Sequence, residues 1–263
     1  MSLDAATRVE PLGAGRYRAA IPDGWQQGRG AFGGLVVGLM ARAARAEEPD
    51  ALRRLRAVSA EIVGPVVVGE AICAVGVVRR GSGVSTLEAR VEQGGETLAR
   101  ASFVYGRERA TDVDGLWLAA PEIEPWDALP AMRLGPPAPV FLQHFEMRTR
   151  GPFPFQGSDA RETRGWVAPR VLPAAWDDHD VLALCDAWFP IAMCTVGDVR
   201  PMATVGFALQ LVRDPRALEP GRPFVYRASF PAGAGGYPLD LRELWTERGE
   251  LVALNQQTFC LIR

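Results

Sequence analysis

The hydrophobic pattern of the first half predicts one long helix among strands. A short alternating segment at residues 16–21 precedes an apolar run at residues 35–47, which is hydrophobic on nearly every side and therefore predicts a buried helix. Segments rich in β-branched residues follow, separated by Gly-rich turns, and they predict four antiparallel strands. These four segments lie at residues 55–68, 71–78, 84–91 and 98–105.

The second half repeats this order of elements. Extended segments are predicted at residues 145–150 and 162–168, followed by an apolar helix at 181–196 and four more strands. Those strands lie at residues 202–212, 224–230, 239–246 and 251–262. The repetition predicts a duplicated structural unit.

The segment between the halves has a different composition. Residues 111–140 contain six prolines and no sustained periodicity, which is typical of a linker. We therefore predict an N-terminal unit at residues 1–110, a Pro-rich linker at 111–140 and a C-terminal unit at 141–263.

The buried helix of each unit constrains the fold. An antiparallel sheet can cover a helix that is apolar all round only if the sheet curls around it, which is the α+β arrangement called the hot-dog fold. Two such units would join edge to edge as a double hot-dog, and this removes exposed strand edges that invite aggregation. A parallel α/β fold would need helices alternating with strands, whereas this sequence has long strand-only runs.

The two units share a turn followed by a strand, Gly95-Glu96-Thr97-Leu98-Ala99 in the first and Gly249-Glu250-Leu251-Val252-Ala253 in the second. If this echo sets the register, Gln257 lies where the first unit has Phe103, and Thr204 lies where it has Ala57. Only the second unit places polar residues there. We therefore expect the chemistry in the second unit.

Asp186 is the sharpest candidate for a catalytic residue. It interrupts an apolar helical segment at residues 182–190 and is expected on one face with Leu182, Phe189 and Met193. Burial raises the pKa of a carboxyl group towards the range useful for a general base. The structural alternative is a carboxylate that binds the backbone at the kink expected at Pro190.

Thr204 and Gln257 each interrupt an apolar strand face. A buried hydroxyl and a buried amide must find hydrogen-bond partners, and a sheet curled around the helix would bring both near Asp186. Taken singly, such a residue more often makes a cross-strand hydrogen bond than takes part in catalysis.

The Gly-rich segment at residues 28–33 matches G-x-G-x-x-G, but no apolar strand leads directly into it and no βαβ unit follows, which argues against a nucleotide site. Gly33 and Gly34 allow close packing at the helix start, and the free N–H groups there could hold a carbonyl oxygen or an anion. The sequence is compatible with both close packing and ligand binding at this helix start.

Other potential sites have simpler interpretations. The acidic run at residues 177–180 favours helix capping over metal binding. His144 and His179 have neither zinc-site spacing nor an obvious triad, and the chain contains no G-x-S-x-G elbow. The four cysteines are far apart in apolar surroundings and are interpreted as core residues.

Composition narrows the possible partners. With 263 residues, 48% hydrophobic content and a formal net charge of −2, the chain offers no electrostatic reason to bind nucleic acid or an anionic membrane. It lacks both a run of about 20 apolar residues and a basic-then-apolar N-terminus. We expect a cytoplasmic protein with no membrane partner.

These residues resemble the double hot-dog acyl-CoA thioesterases of the bacterial type II kind. The resemblance lies in the Phe32-Gly33-Gly34 helix start, the order of elements, and the segments Leu184-Cys185-Asp186, Ala203-Thr204-Val205 and Leu251-Val252-Ala253 with Gln257. It implies that Asp186, Thr204 and Gln257 hold and activate a water that attacks the thioester, and that Phe32, Gly33 and Gly34 contact the substrate. It also implies an acyl-CoA substrate, fatty acid metabolism, assembly into homo-oligomers, and no metal or other cofactor.

One strand departs from the better-known members of that family, which tend to carry a His and aromatic residues where this chain has residues 56–61, Arg-Ala-Val-Ser-Ala-Glu. An alternative is therefore a catalytically inactive acyl-CoA-binding or scaffold protein. A further alternative is an enoyl-CoA hydratase, but that chemistry generally uses an Asp and His pair, and neither histidine lies on an apolar strand face.

Overall fold

The computed structural model describes residues 1–262 of the chain. This part contains three α-helices and fourteen strands. The helices are α1 (Leu3–Ala6), α2 (Gly33–Glu47) and α3 (Asp178–Ala187). The strands of the first half are β1 (Val9–Gly13), β2 (Arg16–Ile21), β3 (Gln26–Gln27), β4 (Gly30–Ala31), β5 (Arg54–Ile62), β6 (Gly69–Arg80), β7 (Val84–Gln93) and β8 (Glu96–Gly106). Those of the second half are β9 (Phe145–Arg148), β10 (Glu162–Pro169), β11 (Met202–Leu211), β12 (Phe224–Ala234), β13 (Tyr237–Trp245) and β14 (Leu251–Leu261).

Twelve of the strands form one antiparallel sheet in the order β1-β2-β6-β7-β8-β5-β11-β14-β13-β12-β10-β9. The order β2-β6-β7-β8-β5 on one side of the centre is matched by β10-β12-β13-β14-β11 on the other. The halves meet where β5 pairs with β11, for example Ser59 with Ala208. The prediction of a large antiparallel sheet with few helices is confirmed.

The two longer helices pack against each other in opposite directions. A Cβ built on Gly34 would lie 2.8 Å from Ala183 Cα, and one built on Gly38 would lie 3.4 Å from His179 Cβ. α2 also contacts β6, β7 and β8, and most of its residues are buried. The absence of a side chain at Gly34 therefore lets the helices approach closely at the start of α2.

The Gly-rich segment before α2 forms a small hairpin. β3 and β4 pair with each other, and Gly28 occupies the turn between them with a φ of 66°, in the left-handed region that favours glycine. α2 begins directly after this hairpin, so the strand–turn–helix context of a dinucleotide-binding fingerprint is missing from the described chain.

The start of α3 confirms the capping interpretation of the acidic run. The Asp177 side chain accepts hydrogen bonds from the Asp178 N–H (2.7 Å) and from the Asp180 N–H, and the Asp180 side chain accepts one from the Asp177 N–H (3.0 Å). This reciprocal arrangement is a capping box, which satisfies backbone donors that have no partner inside the helix.

The predicted extent of the second helix was wrong. α3 ends at Ala187, Trp188 is extended, and a short 3-10 turn follows at Ile191–Thr195. Pro190 explains the break, because proline lacks an N–H and disfavours helical geometry in the residue before it. Phe189 and Met193 therefore do not share a helical face with Asp186.

Strand register confirms one predicted equivalence. Phe103 on β8 pairs with Val58 and Leu87, while Gln257 on β14 pairs with Phe207 and Asp240 in the matching strands. Gln257 thus lies where the first half has Phe103.

The predicted equivalence of Thr204 with Ala57 was wrong. Thr204 pairs with Phe259, and the matching pair in the first half is Leu55 with Tyr105. A β-bulge follows both Leu55 and Thr204, so the two strands share the same irregularity at this point. The first-half counterpart of Thr204 is therefore Leu55.

The segment between the halves covers the outer face of the second half's sheet. Trp126 and Leu129 pack with Trp166, Val225 and Trp245, and the Trp166 indole N–H donates to the Glu124 carbonyl (2.9 Å). The division into units at residues 110 and 140 stays a prediction. None of the helices in residues 1–262 is long and apolar enough to cross a membrane.

Asp178 should make stability depend on pH. Burial, and secondarily the Asp177 carboxylate, raises the pKa of Asp178 to about 7. A folded-state pKa above the unfolded value of about 4 means that this group favours folding below that value and that the contribution is lost as the pH rises through about 7. Asp178→Asn should therefore raise the Tm at pH 8 by about 2–6 °C and change it little at pH 4.

Thermal unfolding of wild type and Asp178→Asn at both pH values measures this effect. Asp112→Asn, at an exposed position in the segment between the halves, is the matched control. Equal Tm differences for Asp178→Asn at pH 4 and pH 8 would contradict the prediction.

Candidate active site

Asp186 lies in the last turn of α3 and points at the start of α2. It is 7% exposed, and a Cβ on Gly33 would lie 2.8 Å from its Oδ2. The Gly34 backbone N–H donates to the same carboxylate. Glycine at position 33 therefore leaves the space that this carboxylate occupies.

Gln257 contacts Asp186 and Thr204, which complete the trio of predicted catalytic residues. Its Nε2 donates to Asn255 Oδ1 (2.8 Å) and to the Cys185 carbonyl (3.4 Å), and the same amide lies beside the Asp186 carboxylate. Thr204 Oγ1 lies 3.5 Å from Gln257 Oε1. Side chains that are distant in sequence, from α3, β11 and β14, therefore gather around a fully buried amide.

The charge state of Asp186 depends on opposing effects. Burial is the largest and raises the pKa of this carboxyl above its ordinary value. The positive charge of Arg242, the Gly34 N–H and the Gln257 amide each lower the pKa, but together they do not outweigh burial. A carboxylate in these surroundings is a stronger base than an exposed aspartate.

The sequence suggested two roles for the start of α2, close packing and contact of its free N–H groups with an anion, and the structure has features of both. Gly34 permits close packing against Ala183, and its N–H holds an anion, which here is the carboxylate of Asp186. Phe32 is fully buried with its ring stacked on Phe141 at 4.1 Å between centroids, so its side chain packs in the core. Gly33 is half-buried, and substrate contact by residues 32–34 stays a prediction.

The most accessible part of the trio is Thr204. Residues 203–206 at the start of β11 are half-buried, as are Phe189 and Met193, whereas Asp186 and Gln257 are buried. Two surface cavities of about 620 and 450 Å³ in the described chain are lined by other residues. The start of β11 is therefore the part of the trio most accessible from the surface.

Sequence reasoning missed further polar residues on the same inner face. Strand pairing matches Asn255, Arg242, Asp240 and Tyr226 of the second half with Ala101, Ala89, Leu87 and Cys73 of the first. All four polar residues are at least 97% buried. The turn echo gives only the difference between Ala101 and Asn255, because the turn before β14 is one residue longer than the turn before β8 and shifts any count back into the preceding strands.

The histidines lie elsewhere in the fold. The His144 ring stacks on Trp25 at 3.9 Å between centroids, and its Nε2 lies 2.9 Å from the Gly24 carbonyl. His179 Nε2 lies 2.8 Å from Arg42 Nη2. Neither histidine is hydrogen-bonded to the trio within residues 1–262.

Solved structures with the same fold include proteins from several bacteria. A protein with a hot dog fold from Alicyclobacillus acidocaldarius superimposes with a TM-score of 0.91 at 21% identity, over 99% of this chain and 98% of that chain. A candidate thioesterase II from Thermobifida fusca YX gives 0.85 at 24% identity, over 99% and 97%. The acyl-CoA thioesterase II TesB2 from Mycobacterium marinum gives 0.78 at 20% identity, over 99% and 98%. The chain therefore has the hot-dog fold.

Family models identify the relatives more closely. The acyl-CoA thioesterase C-terminal domain matches residues 118–261, which is more than half of the chain, and the acyl-CoA thioesterase N-terminal domain matches residues 21–106. The chain belongs to the acyl-CoA thioesterase family. No sequence among curated proteins matches it.

Proposed function

We propose that this protein is a double hot-dog enzyme that hydrolyses an acyl-CoA thioester to a free acid and CoA. The observation that carries the proposal is the contact of Gln257 with both Thr204 and Asp186. The first half has apolar residues, Phe103 and Leu55, at the positions of Gln257 and Thr204. Membership of the acyl-CoA thioesterase family supports the class of substrate.

In the proposed reaction, Asp186 accepts a proton from a water molecule that Thr204 and Gln257 orient. The water oxygen attacks the thioester carbon, and the N–H of Gly33 at the start of α2 polarises the carbonyl oxygen. The C–S bond then breaks, and the sulfur of CoA leaves as a thiolate that takes the proton from Asp186. The products are the acid and the CoA thiol.

The activity is tested with purified protein, acyl-CoAs of several chain lengths and a reagent that reports free thiol. We expect release of CoA above background from at least one of them. No release from any chain length would remove the proposed function. Assembly into homo-oligomers and a cytoplasmic location stay predictions.

Two adjacent glutamines provide a matched test of the amide. Gln257 faces inward and is fully buried, whereas Gln256 is exposed on the opposite face of β14. Gln257→Leu should lower kcat by roughly 10–100-fold, because the water loses an orienting group. Gln256→Leu should stay within about 2-fold of wild type, because surface changes have small effects. Steady-state kinetics measure both, and equal losses would contradict a specific role for Gln257.

The comparisons give no support to a binding-only or scaffold protein. A hydratase is also disfavoured, because the hydrogen bonds of Asp186 within residues 1–262 come from Gly34 and Gln257 rather than from a histidine.

A further inference from the structure

A buried ion pair on β13 lies beside the proposed site. Arg242 is 1% exposed and Asp240 is fully buried, and their side chains meet at 3.1 Å between Nη2 and Oδ2. Arg242 Nε and Asp240 Oδ1 have no hydrogen-bond partner in residues 1–262, which adds to the cost of burying these charges. The first half packs the matching positions with Ala89 and Leu87, so the fold itself does not require the pair.

Arg242 binds the helix end that carries Asp186. The Cys185 carbonyl lies in the last turn of α3, where carbonyls lack partners inside the helix. Arg242 Nη1 donates to this oxygen at 3.1 Å, and Gln257 donates to it from a second direction. Because Cys185 immediately precedes Asp186, the two donors fix the peptide that leads into the proposed base.

Asp240 holds the chain on the other side of the break at Pro190. Its Oδ2 accepts from the Ile191 N–H (3.2 Å) as well as from Arg242. The pair therefore connects the end of α3 to the start of the following 3-10 turn. Both sides of the break are tied to the same strand, β13.

The pair also sets the charge around Asp186. Arg242 supplies the positive charge that favours the ionised carboxylate, whereas the pKa of Tyr226 is raised by burial, so that its hydroxyl stays neutral. The groups that face Asp186 come from every neighbouring element, namely Gly34 N–H of α2, the Cys185 thiol of α3, Tyr226 of β12, Arg242 of β13 and Gln257 of β14.

We infer that Arg242, held by Asp240, is a positioning residue for Asp186 that fixes the end of α3 and keeps the carboxylate ionised for its work as a base. The inference rests on the proposed hydrolysis. It explains why the second half has two buried charges at the positions where the first half has Leu87 and Ala89.

The test compares the pH dependence of kcat/KM in variants of Arg242. Arg242→Gln removes the positive charge. The fall of kcat/KM at low pH, the acid limb of the profile, should then move to higher pH by about one unit or more. We also expect kcat at least about 10-fold lower and KM within about 3-fold of wild type. Arg242→Lys keeps the charge and should leave the limb near its wild-type position. A merely structural role would lower the amount of folded enzyme without moving the limb.

Arg227→Gln is the matched control, because Arg227 of β12 pairs with Glu243 of β13 on the outer face of the sheet. It should leave the limb in place. The double variant Asp240→Leu with Arg242→Ala introduces the first-half residues and leaves neither charge buried without its partner, so it should fold while showing the shifted limb. It decides the question if Arg242→Gln alone fails to fold.

An infrared titration of the Asp186 carboxyl, identified by its loss in Asp186→Asn, separates this inference from the proposed function. If wild type releases no CoA, the proposed hydrolysis fails, and the titration still decides the role of Arg242. An unchanged carboxyl midpoint in Arg242→Gln and in the double variant would overturn the inference. So would an unchanged acid limb in an active enzyme.

Discussion

Replacing Asp186 with asparagine should lower kcat for acyl-CoA hydrolysis by about 100-fold or more, because the amide cannot accept the proton of the attacking water. Asparagine has almost the same shape and removes a buried charge, so the fold should remain intact. Thermal unfolding and steady-state kinetics on the same preparation measure the two effects separately. Turnover within about 3-fold of wild type would show that Asp186 is not the base.

The pH dependence of the wild-type enzyme gives a second view of the same residue. A base must be ionised, so kcat/KM should fall as the pH decreases through the pKa of Asp186. Because burial raises that pKa, the fall should occur above the ordinary range for an aspartate. Residual activity in Asp186→Asn should lack this limb.

Gly34→Ala should destabilise the protein by about 3 kcal/mol, which corresponds to a fall in Tm of about 6–12 °C. The added Cβ would lie 2.5 Å from Phe32 Cζ and 2.8 Å from Ala183 Cα. The Phe32 ring is stacked on Phe141, and Ala183 is backbone of the facing helix, so neither can move aside easily. Denaturant unfolding followed by circular dichroism measures the loss.

Gly38→Ala is the matched control one turn further along α2. Its Cβ would meet Thr7 and His179 at 3.3–3.5 Å, a contact that small shifts can relieve. Because alanine favours helix by about 1 kcal/mol over glycine, the net change at Gly38 should be close to zero. If the two variants lose equal stability, close approach at Gly34 is not the reason for its glycine.

The order of the elements could be predicted from the sequence because each signal is local. Period-2 alternation and Gly-rich turns placed the strands, and the turn echo at Gly95 and Gly249 gave the correct register for Gln257 and Phe103. The echo gives the correct register because β8 and β14 have the same number of residues between the turn and these two positions.

The remaining features depend on contacts between distant segments. Thr204 corresponds to Leu55 rather than to Ala57, and only the pairing of β11 with β14 and of β5 with β8 shows this. The end of α3 at Ala187 was missed because the apolar pattern continues past Pro190. Arg242 and Asp240 lie in a segment of alternating polar and apolar residues, and only the pairing of β13 with β14 shows that their charged side chains face inward.

The two halves lie on one polypeptide, and the pairing of β5 with β11 joins them into one continuous sheet. Two identical chains related by a two-fold axis would have to carry the same residue at both equivalent positions. In a single chain this constraint does not apply. The matching positions can therefore hold different residues, a polar Gln257 in one half and an apolar Phe103 in the other. The chain therefore resembles a symmetric dimer whose two halves need not have the same sequence. One half can carry buried polar residues while the other keeps apolar residues at the matching positions.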